Sequence, residues 1–319
     1  MKGRIFKRGV VNHVYQRTRN GDLIFYNISD HLVFFTVFCT VAARHKVQVL
    51  KLCQMPDHLH SSMVAERKED LSGFIREYTT VFSKEHNRTC HREGAFFQVR
   101  FGSAVKRDPK LVRTNLIYVD NNPVERHLCQ RAEQYQWNYL AYAASNHPFS
   151  EPYCGRTASN AMKRAVRVVK SRHAEGRYLS YALLQQLFKS LLSKERKQLA
   201  DIIVRTYSII DHAAAIQYFG SYEQMLTADH STTGSEYDLG EVFVGKDDRW
   251  YARLVHRVMD RYHPSDIHDI LALPEARRLE MLKDLEQHSN APVMQIAKFL
   301  RLPWKTVIDH MLEYQPLRR

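Results

Sequence analysis

Apolar residues in the first 125 positions recur either at every second residue or at steps of three and four residues, and these two periods predict strands and helices respectively. The predicted order is strand, helix, strand, strand, helix, strand, helix. This order favours an α+β fold of the ferredoxin or RRM-like type, an antiparallel sheet covered by helices, here on one face. The predicted strands are 9–17, 47–53, a central one beginning at His58, and 96–103; the predicted helices are 30–44, 70–87 and 109–122.

Capping signals set the ends of the predicted helices. Ser29 or Asn27 suits the N-cap of the first helix, and Asp108 followed by Pro109 suits the start of the third. Pro123 disfavours helical geometry at the residue before it, so the third helix is expected to end at residue 122.

The chain beyond residue 145 predicts an all-α region. Residues 145–159 are rich in Pro, Ser and Gly and suggest a linker, and residues 231–235 suggest a flexible connection. Two short helices, after Asn290 and from Pro303, predict a helix-turn-helix, although the turn lacks the usual glycine and such pairs also occur in structural bundles. The predicted domains are 1–145, 146–235 and 236–319, the last two helical.

Composition adds an expectation about partners and location. Hydrophobic residues make up 44% of the chain, which suffices for packed cores. A formal charge of +13 and a pI near 9.5 indicate an anionic partner, nucleic acid rather than membrane. Five cysteines without a Cys-x-x-Cys pair fit a reducing compartment. The basic N-terminus lacks the apolar stretch of a signal peptide, and the apolar run at 32–43 is too short to span a membrane, so a soluble, cytoplasmic protein is expected.

Two histidines, His58 and His60, flank Leu59 in a predicted strand. Because side chains alternate along a strand, both imidazoles share one face and are expected to point outward, while Leu59 faces the core. Neutral imidazole is a common ligand of divalent metals, so the pair is a candidate seat for Mg²⁺ or Mn²⁺. The alternative is that the His-x-His pattern is incidental and structural.

Tyr118 and Asn122 lie one helical turn apart in the third predicted helix, on a flank of its buried face. That face consists of Val112, Leu116 and Val119. Such a tyrosine is either a functional group or a partly buried packing residue. The side-chain direction at the helix end leaves Asn121 as an alternative to Asn122.

These motifs, taken in order, resemble a known family. Met-Pro-x-His-hydrophobic-His at residues 55–60, a Phe-rich segment, and Tyr-hydrophobic-x-x-Asn-Pro-Val at residues 118–124 are similar to the His-hydrophobic-His tyrosine transposases of the REP-associated branch. The resemblance covers about residues 8–142. Two departures are Asp57, where the family has Asn, and Ser61-Ser62, which predict a weaker strand after the second histidine.

The resemblance implies a metal-dependent reaction on DNA. His58, His60 and Asn122 would hold Mg²⁺ or Mn²⁺, and Tyr118 would attack a phosphodiester of single-stranded, hairpin-containing DNA. A 5′-phosphotyrosine would then be passed to a second strand end, which is strand transfer. Two other functions stay open: a non-catalytic DNA-binding regulator with the same fold, and a single-strand nuclease that hydrolyses without rejoining.

Basic and aromatic side chains near these motifs are candidates for DNA contacts, although each basic residue taken alone is better explained as solvated surface and each phenylalanine as core. The candidates in the first domain are Arg100, Lys106, Arg107, Lys110 and Arg113. The candidates at the start of the last predicted helix are Trp304, Lys305 and Thr306.

Overall fold

The computed structural model describes residues 6–231 and 247–313 of the chain. It contains a four-stranded antiparallel sheet with the strand order β2-β3-β1-β4. The strands are β1 (Val11–Arg17), β2 (Val47–Met55), β3 (His58–Ala65) and β4 (Gly102–Lys106). The α+β fold with helices on an antiparallel sheet is therefore confirmed, and the His-x-His pair lies on the central strand β3.

Helices connect the strands and make up most of the described chain after residue 160. They are α1 (Ile28–Ala42), α2 (Lys68–Thr89), α3 (Pro109–Glu125), α4 (Asn160–Ala174), α5 (Tyr181–Lys189), α6 (Ser193–Tyr207), α7 (His212–Gln217), α8 (Tyr222–Ser231), α9 (Arg249–Tyr262), α10 (Ile267–Leu271), α11 (Glu275–Ser289), α12 (Val293–Phe299) and α13 (Trp304–Glu313). Of the two predicted caps of α1, Asn27 is the N-cap, because its Oδ1 accepts from the main-chain nitrogens of Ser29 and Asp30. The predicted flexible connection at 231–235 lies, apart from its first residue, outside the described residues.

Helices cover both faces of the sheet. α1 and α2 pack on the face that carries Val14 and Leu59. α3 covers the opposite face, where Leu116 packs with Val11 and Leu50. The expectation of helices on one face was therefore wrong. The second face carries His13, His60 and Ser62, which hydrogen-bond beneath α3, so at these positions its strands lack the apolar residues that predict a covered face.

The strand after α2 begins later than predicted. β4 starts at Gly102, whereas Phe96 and Phe97 pack with their ring centroids about 6 Å from that of Phe82 on α2. Phe97 forms only an isolated bridge, with Thr18. Aromatic residues of high strand propensity are used here to fill the core, and tertiary packing overrides the local preference.

β3 continues without a break through Ser61 and Ser62, so the predicted weakening of the strand was wrong. Ser61 pairs with Val14 of β1, and both serines also pair with residues of β2. Ser62 Oγ donates to Asn115 Oδ1 of α3 at 2.8 Å. This hydrogen bond satisfies a buried hydroxyl that would otherwise be costly on this face.

α3 passes through Pro123 and ends at Glu125, so the expected end at Asn122 was wrong. Proline inside a helix removes one N–H donor and usually kinks or ends it. Here the final turn is held by the Arg126 main-chain nitrogen, which donates to Asn122 O at 3.2 Å. The Arg126 guanidinium is in turn paired with buried Asp248 at 2.6 Å.

The core of the sheet region extends beyond residue 145. Met162 of α4, Leu184 of α5 and Leu199 of α6 belong to the same hydrophobic cluster as the buried face of α1. The predicted boundary between residues 145 and 146 therefore does not coincide with a break in this core. Within the described residues no helix is long and apolar enough to cross a membrane.

The last helices, α9 to α13, form a second cluster, which we call the C-terminal helical unit (residues 249–313). Leu23, Tyr26 and Cys90 of the N-terminal region belong to this cluster, so the unit is docked against the sheet region through buried apolar contacts. Tyr26 Oη donates to the carbonyl oxygen of Phe299 at 2.9 Å. The docking of this unit brings α12 to the end of the sheet at which β3 begins.

Gly102 is a position where a side chain would collide with its neighbour. An added Cβ would lie 1.9 Å from two ring carbons of Tyr15, its partner across β1 and β4. We expect Gly102→Ala to lower the free energy of unfolding by about 1–3 kcal/mol, because the tyrosine ring must move. Urea denaturation measures this. Gly155→Ala, whose Cβ would meet its nearest neighbour at 3.6 Å, is the control, and equal midpoints for the two variants would contradict the expectation.

Three ionisable side chains are buried between β2, α3 and α8. Lys51 Nζ donates to Asp120 Oδ2 at 2.5 Å, and Asp229 lies beside them. Neither carboxylate oxygen of Asp229 has a hydrogen-bond partner among the described residues. Burial, reinforced by the negative charge of Asp120, raises the pKa of Asp229 to about 9.

The protonation of Asp229 makes stability depend on pH. Between about pH 4 and 9 the folded protein keeps a proton on Asp229 that the unfolded chain releases, so the free energy of unfolding falls as pH rises through this window. We expect Asp229→Asn to reduce this fall and to raise the free energy of unfolding at pH 8 by about 1–3 kcal/mol. Urea titrations at several pH values, with exposed Asp260→Asn as control, measure it. An unchanged pH slope would show that this carboxyl does not retain its proton.

Candidate active site

The candidate site lies where the start of β3 meets the last turns of α3. The ring centroids of His58 and His60 are 4.8 Å apart and the rings are nearly perpendicular. The ring centroid of Tyr118 lies 5.3 Å from that of His60, and Asn122 Nδ2 lies 3.2 Å from His60 Nε2. The strand and the helix thus bring together all four residues that the motifs singled out.

The site is buried, contrary to the expectation that the imidazoles point outward. His58 and His60 are 1% and 0% exposed because α3 covers their face of the sheet. Burial lowers the pKa of His60, and the proximity of His58, His13 and Arg17 acts in the same direction. The ring is therefore neutral at pH 7, the form that offers a lone pair to a metal.

Asp57, the departure from the family pattern, orients His58. Its Oδ1 lies 2.5 Å from His58 Nδ1, and its Oδ2 accepts from Lys298 Nζ of α12. Burial alone would raise the pKa of Asp57, but its interactions with His58 and Lys298 hold it well below its usual range. A carboxylate that accepts the Nδ1 proton places the lone pair of the neutral ring on Nε2, the arrangement found behind many metal-binding histidines.

His13 orients the second histidine and was not singled out from the sequence. His13 Nε2 lies 3.1 Å from His60 Nδ1, and His13 Nδ1 contacts the side-chain amide of Asn115. Burial, followed by the charge of Lys106, lowers the pKa of His13 to about 3. The sequence places His13 in a strand, but only the register of β1 against β3 brings it beside His60.

α3 also separates the two candidate asparagines. Asn121 Nδ2 donates to the carbonyl oxygen of Asp229 at 2.7 Å and faces α8, whereas Asn122 faces His60. Asn122 Oδ1 is buried and has no hydrogen-bond partner among the described residues. An orphaned buried amide oxygen beside two imidazoles fits a divalent cation, because such a cation would satisfy it.

Tyr118 lies within a small apolar cluster. Its side chain packs with Cys53, Met55 and Val119, and only 5% of it is exposed. The arrangement places the ring of Tyr118 beside His60, under apolar side chains.

The residues predicted to contact DNA fall into two places. Arg100 and Arg107 are exposed on either side of the edge strand β4, Lys106 ends that strand, and Lys110 and Arg113 lie in the first turns of α3. Trp304, Lys305 and Thr306 begin α13, and the side chain of Trp304 is 43% exposed. The two groups approach the site from the sheet edge and from the C-terminal helical unit.

A second group of possible ligands lies at the junction with the C-terminal helical unit. The potential ligand atoms of His86, Cys90 and His268 all lie within 4.8 Å of one another. Arg301 Nη2 lies 2.8 Å from His86 Nε2. Burial opposes protonation of His268, but the charge of Asp30 and the hydrogen bonds that His268 donates to the carboxylates of Asp266 and Asp30 raise its pKa to about 11. The distances suit a metal, but the guanidinium of Arg301 and the imidazolium of His268 already place positive charge at this position.

Comparison with known proteins agrees with the fold and the motifs. The family model described as Transposase IS200 like matches residues 11–122, from the first residue of β1 to Asn122. Residues 11–122 are thus similar to the IS200-like transposases, and this match confirms the family resemblance seen in the motifs.

Among solved structures, that of a REP-associated tyrosine transposase bound to a REP hairpin is similar to this chain. The two are 16% identical with a TM-score of 0.40, over 50% of this chain and 93% of that one. No curated protein matches the chain.

Proposed function

We propose that residues 11–122 form a transposase domain that cleaves and rejoins single-stranded DNA through a 5′-phosphotyrosine at Tyr118, at hairpin-containing sites. The observation that carries the proposal is the meeting of α3 with β3, which sets Tyr118 and Asn122 against His60 in one buried site. The match of residues 11–122 to IS200-like transposases supports the reaction class.

His58, His60 and Asn122 are proposed to hold the divalent metal, Mg²⁺ or Mn²⁺. Asp57 and His13 fix the ring orientations of the two histidines, and the orphaned oxygen of Asn122 completes the set. Two nitrogens and one oxygen suit Mn²⁺ better than Mg²⁺, which prefers oxygen ligands. When bound, the metal would polarise the scissile phosphate and offset its charge.

Tyr118 supplies the covalent step. Its hydroxyl oxygen forms a bond to phosphorus while the bond from phosphorus to the 3′ oxygen breaks. The phenol loses its proton and the departing 3′ oxygen gains one, so the products are a 5′-phosphotyrosine and a free 3′-hydroxyl. A 3′-hydroxyl from another strand end reverses these steps and releases the tyrosine, which accounts for rejoining without an external energy source.

The flanking parts of the chain are proposed to hold DNA. Arg100, Lys106, Arg107, Lys110 and Arg113 would contact phosphates along the edge of the sheet. The helix pair of α12 and α13 is proposed as a helix-turn-helix. The chain is proposed to divide into a catalytic domain (1–145) and two helical regions (146–235 and 236–319), the first of which shares its hydrophobic core with the catalytic domain.

The burial of Tyr118 favours a second candidate, a DNA-binding regulator that keeps the transposase fold without cleavage. A tyrosine that is 5% exposed, in an apolar cluster, serves packing equally well. A regulator of this kind would bind hairpin DNA and leave it intact.

The deciding experiment uses the full chain, Mn²⁺ and hairpin DNA with single-stranded flanks, resolved on a denaturing gel. A 5′-phosphotyrosine retains the downstream fragment, so a strand labelled at its 3′ end should give a slow covalent species and one labelled at its 5′ end a free fragment. Peptide mapping of the adduct should place the DNA on Tyr118. Cleavage without an adduct would indicate a hydrolytic nuclease, and binding without cleavage across a panel of hairpins would indicate the regulator.

A further inference from the structure

A cavity of about 830 Å³ lies between the sheet region and the C-terminal helical unit, and we call it the interunit cleft. It opens beside the candidate active site. Asp57, which contacts His58, lines it, and so does Arg17, which pairs with His58 across β1 and β3. Its volume is in the range of roughly 300–1,000 Å³ of pockets that hold drug-sized ligands, so it has room for a nucleotide.

The interunit cleft is electropositive. Its cationic side chains are Arg17, Arg92, Arg278, Lys298 and Arg301, against the two carboxylates of Asp22 and Asp57. Arg92 donates to Asn87 Oδ1 and to a main-chain carbonyl, and Arg278 donates to main-chain carbonyls. Hydrogen bonds to neutral acceptors fix a guanidinium without cancelling its charge, so the cleft attracts phosphate groups.

An aromatic side chain stands in the wall of this cleft. Trp304, the first residue of α13, lines the cleft and is 43% exposed. The turn before it is anchored by Arg301, whose backbone is left-handed (φ 52°) and whose guanidinium lies 5.3 Å from the ring centroid of Tyr26 and 5.4 Å from that of Phe96. The indole is therefore presented on a fixed turn, and exposed aromatic rings are the surfaces on which unpaired bases stack.

We propose that the interunit cleft binds a single-stranded DNA segment next to the cleaved phosphate, with an unpaired base stacked on Trp304 and phosphate held at Arg92. The C-terminal helical unit thereby forms one wall of the substrate site, and it touches the candidate metal seat through the contact of Lys298 with Asp57. The proposal rests on the proposed function for its substrate class. It assigns α13 to single-stranded DNA rather than to the major groove of a duplex.

Binding is measured apart from cleavage, with the full chain carrying Tyr118→Phe in EDTA and fluorescence anisotropy of two labelled hairpins, one with a single-stranded tail and one without. We expect Trp304→Ala to weaken binding of the tailed hairpin by about tenfold, the scale of base stacking on an aromatic ring, and to leave the hairpin without a tail within about twofold. Trp304→Phe should retain the affinity. Ile308→Ala, one turn further along α13 at 38% exposure, is the matched control.

The salt dependence of binding tests the charge of the cleft separately. Arg92→Gln should lower the slope of log affinity against log salt for the tailed hairpin by about 0.7, the value of one phosphate contact on a single strand. Arg277→Gln, an exposed arginine outside the cleft, should leave the slope unchanged.

The outcomes separate this proposal from the proposed function. If Trp304→Ala binds the tailed hairpin as tightly as the parent does, the proposed binding of DNA in the interunit cleft is overturned, even if the wild-type chain forms a phosphotyrosine. An equal loss of affinity for both hairpins would also overturn the proposal and would indicate that α13 binds the DNA duplex. Dependence on Trp304 and on the tail would support the cleft even if no adduct with DNA is ever found.

Discussion

Replacing Tyr118 with phenylalanine is expected to lower formation of the covalent DNA adduct by at least about a thousandfold, because the phenyl ring has no oxygen to attack phosphorus. The substitution keeps the ring that packs with Cys53 and Met55 and lies against His60. Folding and DNA affinity should therefore stay within about twofold of the wild type. The measurements are a denaturing gel for the adduct and anisotropy for DNA binding.

Tyr135→Phe provides a matched control. Tyr135 packs against the same cluster, and its hydroxyl donates to the carbonyl oxygen of Gln54 at 2.8 Å. Loss of that hydroxyl removes a structural hydrogen bond and no proposed nucleophile, so the adduct should persist within about threefold. An adduct that survives in Tyr118→Phe would exclude Tyr118 as the nucleophile. An adduct lost equally in both variants would show that the loss is structural.

Replacing Lys51 with methionine is expected to lower the free energy of unfolding at pH 7 by about 3–5 kcal/mol, the cost of breaking a buried ion pair from one side. Lys51 and Asp120 are 1% and 0% exposed, so the remaining carboxylate would stay buried beside a second acid, Asp229. The loss should shrink at lower pH, because Asp120 then takes up a proton. Urea denaturation across pH measures both effects.

The double variant Lys51→Met/Asp120→Asn is the control for this expectation. It removes the stranded charge while keeping the shape of the site, so it should recover most of the stability lost in Lys51→Met. If Lys51→Met loses less than about 1 kcal/mol of unfolding free energy, then water reaches Asp120 or the surrounding side chains rearrange to satisfy it. A double variant no more stable than the single one would point to packing of the Lys51 side chain as the cause.

Part of the candidate site can be predicted from local sequence patterns. His58 and His60 share a face because a strand alternates, and Tyr118 and Asn122 are neighbours because a helix repeats every 3.6 residues. Both facts follow from spacing. The partners that orient the histidines cannot be predicted from spacing. His13 is placed beside His60 by the strand register, and Lys298 is placed beside Asp57 by the docking of a distant helix.

The sequence by itself determined the order of strands and helices in the first domain, the central position of the His-x-His strand, and the family resemblance, because each depends on local period or on an ordered motif. Only the tertiary structure decided that α3 passes Pro123, that it buries the histidine face of the sheet, and that Asn122 rather than Asn121 faces His60. It also decided that the C-terminal helical unit closes a cleft over the same site. These features depend on contacts between residues far apart in the chain, and burial on such contacts outweighs the local preferences from which a pattern predicts.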